Sequence, residues 1–155
     1  MLYQAALLSH FLSILIAGGG MISVILADRQ LWKKMDGGSE GSGIWIEFIQ
    51  SATKFILIAL AVFLVSGLGL LYSNNWVHVN QPWFILKSAC FILFTVNGAL
   101  VGGNTVTFVD KQLREKNYNM DVLTKAKTRM GRFHIIQLIL VAAIIFLGTF
   151  KPSFG

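Results

Sequence analysis

An all-α, integral membrane four-helix bundle is the fold this sequence predicts, and three observations predict it. Of its 155 residues, 55% are hydrophobic and only 13% charged, against about 25% charged in ordinary soluble domains. Four stretches, at 2–27, 55–72, 83–108 and 133–150, are long and continuously apolar, and a membrane helix needs about 20 such residues to cross about 30 Å of hydrocarbon. The basic residues are segregated between these stretches rather than spread along the chain. A membrane β-barrel is excluded because its strands would be short and would alternate in polarity. Disorder is excluded by the apolar content, and dithiol redox chemistry by the single cysteine, Cys90.

The first stretch carries no basic residue ahead of its apolar run and is too long for a signal-peptide core, so it reads as a mature helix. After it, GGSEGSG at 37–43 has no apolar period and reads as a flexible link. IWIEFIQSATK then leads amphipathically into the second span, with Trp45 suited to an interface. The loop SNNWVHVNQP at 73–82 has no Lys or Arg. The third helix continues past its span through Val109 and Leu113. Asn117-Tyr118-Asn119 gives the turn, and Asp121 suits the first turn of the helix that enters the fourth span. No internal repeat or second domain is visible, so residues 1–155 read as one transmembrane domain.

Loops rich in Lys and Arg stay on the cytoplasmic side. Arg29, Lys33 and Lys34 lie between spans one and two, and Lys111, Arg114, Lys116, Lys125, Lys127, Arg129 and Arg132 between spans three and four. Both termini are therefore expected outside, with two cytoplasmic inter-helix segments, in a multi-pass protein of a bacterial plasma (inner) membrane. The net charge of +6 has this orientation role as its explanation, and nucleic acid is not an expected partner.

Polar side chains inside the spans carry a cost that a purely structural helix avoids. Lys54 reads as a snorkelling anchor. Lys87 works against the charge bias of an outer helix end, and reads equally as a functional amine or as one reaching for outer water. His10 is expected in the same outer layer, on a face with Ala6, Ser13, Ala17 and Gly20, and reads either as a metal ligand or as a core histidine hydrogen-bonded to a neighbouring helix. That narrow stripe favours a close neighbour or a flat ligand. Three glycines at 18–20 cost up to about 1 kcal/mol each in a helix; close helix packing explains them, and room for a planar cofactor beside His10 is the sharper alternative. Cys90, Asn97 and Asn104 recur every seven residues and should look into the bundle. His134 and Gln137 share a face near the opposite end of the bilayer from His10, so His134 reads as an interfacial or hydrogen-bonding residue. His78 sits among interfacial tryptophans.

LSHFLSILIAGGG, with glycine ten residues after His10, WFILK at 83–87, and Lys151-Pro152 resemble the HemJ-type protoporphyrinogen oxidases and the copper-resistance D proteins. That resemblance implies a haem b or porphyrin in the outer half. His10 would be the iron ligand and Lys87 the catalytic or propionate-binding residue, with Gly20 and Asn97 lining the cofactor. Copper handling finds no support, since the five methionines do not cluster.

Three functions follow in order. The first is a haem-associated membrane oxidoreductase. The second is a non-catalytic subunit of a larger membrane complex or a homo-oligomer, with the polar faces and the glycine run as contacts. A small-solute carrier comes last, because neither a broken helix nor an intramembrane acid marks a path.

Overall fold

The computed structural model describes residues 1–37, 41–115 and 119–152. It is helical, in the order α1 (Leu2–Asp36), α2 (Ser42–Ser73), α3 (Pro82–Asn97), a π-helical turn (Gly98–Gly103), α4 (Asn104–Arg114) and α5 (Met120–Phe150). Four of the described helices are long and apolar enough to cross a membrane, the third being α3, the π turn and α4 taken together. In each, at most 17% of the most apolar 18-residue stretch is buried. So much exposed Leu, Ile, Val and Phe is far beyond what a water-facing monomer carries. The surface calls for hydrocarbon, and the chain is an integral membrane protein.

The chain packs as two compact units, residues 1–78 and 79–155. In the first, α1 and α2 run antiparallel, as successive contacts show: Gly69 meets Ala6, Gly67 meets His10, and Gly20 meets Ile56. Two kinds of packing hold them. Towards the link, Val24, Ala27, Leu31, Trp32 and Met35 of α1 and Ile46 and Ile49 of α2 are buried at spacings of three and four, an apolar seam of coiled-coil type. Along the apolar stretches the buried residues are small instead: Ala6, Ser13, Ala59 and Ser66. Lipid tails are as apolar as leucine, so only close backbone approach is left to drive association there.

The link itself is shorter than the Gly/Ser run at 37–43 suggests. Residues 38–40 lie outside the described residues, Gly41 takes φ +80, and α2 has begun by Ser42. Asp28 is buried within the seam, where its Oδ1 accepts from Trp32 Nε1 at 2.9 Å.

In the second unit α3 and α5 are also antiparallel. Lys87 lies against Gly148, Phe94 is bridged to Gln137, and Phe133 lies on Gly102. Pro82 begins α3 at its first turn, where its missing N–H costs nothing. Of the expected turn, Lys116, Asn117 and Tyr118 lie outside the described residues. Asn119 is the N-cap of α5, accepting from Asp121 N at 2.9 Å, and Asp121 sits in the first turn as expected.

The π turn changes one expectation. GALVGG at 98–103 holds one residue more per turn than an α-helix, so the seven-residue recurrence of Cys90, Asn97 and Asn104 does not survive it. Cys90 and Asn97 are half-buried whereas Asn104 is exposed. Gly98 and Gly102 explain the break, because side chains there would meet Gln137 Nε2 at 3.3 Å and the Phe133 ring at 2.7 Å.

Candidate functional site

His10 is the polar residue whose surroundings are most developed. It sits mid-helix on α1, half-buried, facing α2. Its ring stacks on Phe63, with centroids 4.1 Å apart and an interplanar angle of 24°. His10 Nδ1 lies 3.1 Å from Ser66 Oγ, and Ser66 Oγ donates to the Phe63 carbonyl at 3.0 Å. The Ser66 hydroxyl thus joins the His10 ring to the backbone of α2.

Gly67 lies beside the ring, with His10 Cε1 3.5 Å from where a Cβ would stand, an ordinary contact distance. One turn on, Ser13 is buried and donates to the His10 carbonyl at 2.7 Å. Ser66 and Phe63 of α2 thus orient the histidine. Sequence reasoning missed them because a lone serine in an apolar helix resembles any other small-residue contact.

Gly20 belongs to the same helix face, but what it admits is the Ile56 side chain, whose Cγ1 would lie 2.7 Å from an added Cβ. Gly18 and Gly19 have nothing within 4 Å of such a carbon. Of the three glycines, one is packed against α2 and two are open.

Lys87 and Asn97 lie in the second unit. The Lys87 amine rests on Gly148, 3.3 Å from where a Cβ would stand. Lys151 lies over the Trp83 ring at 5.6 Å, one turn from Lys87. Asn97 has an Nδ2 that is buried without a hydrogen-bond partner. Gln137 is buried and donates to the Phe94 carbonyl at 3.2 Å, and its Oε1 is also unpaired. His134 is buried on the same helix, its ring tilted against Phe133 at 5.2 Å. Lys54 is exposed, and Cys90 is a free thiol. Among the described residues no group of three or more His, Cys, Asp and Glu is placed to hold a metal ion, so any iron would rest on an isolated donor such as His10.

The architecture defines the class of protein: a multi-pass, all-helical integral membrane protein built from two antiparallel helical units. No family model, curated protein or solved structure matches the chain.

Proposed function

We propose that this membrane protein binds a haem b or a related porphyrin, with His10 as the ligand to the iron. The observation that carries the reading is the Ser66 hydrogen bond to His10 Nδ1. Ligating histidines almost always donate their second ring nitrogen to an oxygen, which fixes ring and tautomer and raises the basicity of the other nitrogen. Here the Ser66 hydroxyl joins the ring to a backbone carbonyl, and with Nδ1 held in that contact iron would be taken at Nε2, a common metal-binding atom of imidazole. Phe63 holds the ring plane.

A bound haem would supply one-electron redox chemistry. The chain's part is to hold the donor in a dry, apolar setting and to manage charge around it.

The absorption spectrum of the purified protein tests the proposal. A Soret band is expected, lost or shifted in His10→Ala and preserved in His134→Ala. Lys87→Met is expected to keep the band. A parent protein without a Soret band even after reconstitution with haem would remove the reading and leave a non-catalytic membrane subunit in its place.

A further inference from the structure

The second unit holds a cleft of about 580 Å³ where the basic start of α5 meets its apolar stretch. Three side chains at its mouth, Lys125, Arg129 and Arg132, are cationic and none of its lining is acidic. Their spacing of four and three residues puts them on one stripe of α5. The ion pairs at the neighbouring helix end, Lys111–Glu115 and Arg114–Asp110, use other cations. One turn further along α5 the walls become Phe133 and Ile136. Across from them stands Asn97, whose Nδ2 is the buried donor without a partner.

Basic residues at a span end ordinarily serve as orientation signals. Three that converge on one cavity with an unpaired amide donor behind them ask for more, because each cation raises the free energy of the others until an anion lies between them.

We propose that this cleft is a binding site for one anionic phospholipid, with its phosphate between Arg129 and Arg132 and its acyl chains along Phe133 and Ile136. The order of groups matches the order within such a lipid: anion, then hydrocarbon. From Arg129 to Ile136 the helix rises about 10 Å, close to the distance from a lipid phosphate to the upper acyl chain. Val101 of the π turn lines the cleft beside Asn97, and Gly102 admits the Phe133 ring close against that turn. Basic pockets between membrane helices are known to take lipid headgroups. A free phosphate shares the headgroup's charge but could not use the apolar half of the cleft. The inference does not depend on haem binding, since every residue in it belongs to the second unit.

The test is native mass spectrometry of the full chain in a non-ionic detergent, with phosphatidylglycerol, phosphatidylcholine or inorganic phosphate added. Phosphatidylglycerol should be retained at one per chain, at least tenfold better than phosphatidylcholine, with inorganic phosphate neither retained nor competing at equal concentration. The double variant Arg129→Gln/Arg132→Gln should lose the tenfold preference. A Lys33→Gln/Lys34→Gln variant removes the same charge from the first unit and should behave as the parent. Equal loss in that control would assign the effect to diffuse surface charge and overturn the site. Effective competition by inorganic phosphate would overturn its lipid character. Equal retention of both lipids by the parent would overturn the proposal without reference to any variant.

Discussion

Ser66 shows how one small side chain holds a larger one. Its hydroxyl lies within hydrogen-bond distance of both His10 Nδ1 and the Phe63 carbonyl. Replacing Ser66 with alanine leaves the ring stacked but removes its polar tether. If His10 binds iron, Ser66→Ala should weaken haem retention by about tenfold or more, as loss of such supporting hydrogen bonds usually does. Titration of apo-protein with haem, followed at the Soret band, measures it, and an unchanged affinity would detach Ser66 from the site.

The glycines separate in the same residue-by-residue way. Gly20→Ala drives a methyl into Ile56 and should cost about 1–3 kcal/mol as overpacking, whereas Gly18→Ala and Gly19→Ala enter open space and should be neutral or gain up to about 1 kcal/mol of helix propensity. Thermal unfolding in detergent distinguishes them, and Gly20→Ala/Ile56→Ala should recover part of the loss. Trp32→Phe removes a buried donor from Asp28 and should cost about 1–3 kcal/mol for the same reason that any buried acceptor left short does.

Among the elements, the π turn is the one whose origin lies wholly in packing. A π turn amounts to one residue inserted in an α-helix, so residues on both sides can keep facing α5. Phe94 before it and Thr105 and Val109 after it are all buried. Deleting the exposed Ala99 should therefore restore a regular helix without turning Thr105 and Val109 away. Its melting temperature should stay within a few degrees of the parent, about 1 kcal/mol for a chain of this size. Deleting the exposed Ile92, which lies in regular helix, should instead rotate the start of α3 by about 100° against α5 and abolish cooperative unfolding. If the two deletions behave alike, the π turn is not an insertion in register. The helices themselves otherwise follow from sequence, since apolar length sets their extent and Pro82, Asn119 and Asp121 set the starts of α3 and α5.

For the whole molecule, the division of charge makes a prediction about orientation. In a Cys90→Ser background, Asn75→Cys should react with an impermeant thiol reagent in intact cells and Lys125→Cys should not, because Lys- and Arg-rich segments remain in the cytoplasm. The reverse pattern would turn the protein over in the membrane.

By themselves, the residues determined that this chain lives in a bilayer and crosses it with four helices. Apolar length and charge distribution are additive along a chain, and no knowledge of neighbours is needed to read them. His10, Lys87, Gly20 and Asn97 were also visible, because a polar or flexible residue inside an apolar run stands out against its surroundings. What each of them touches was decided only by tertiary structure. Ser66 lies 56 residues from His10, Gly148 lies opposite Lys87, and the space of Gly20 is filled by Ile56. Asn104 left the face expected of it because a π turn lies between it and Asn97. Pairings between antiparallel helices depend on register, and register depends on how small residues let two backbones approach. No period within a single helix records that.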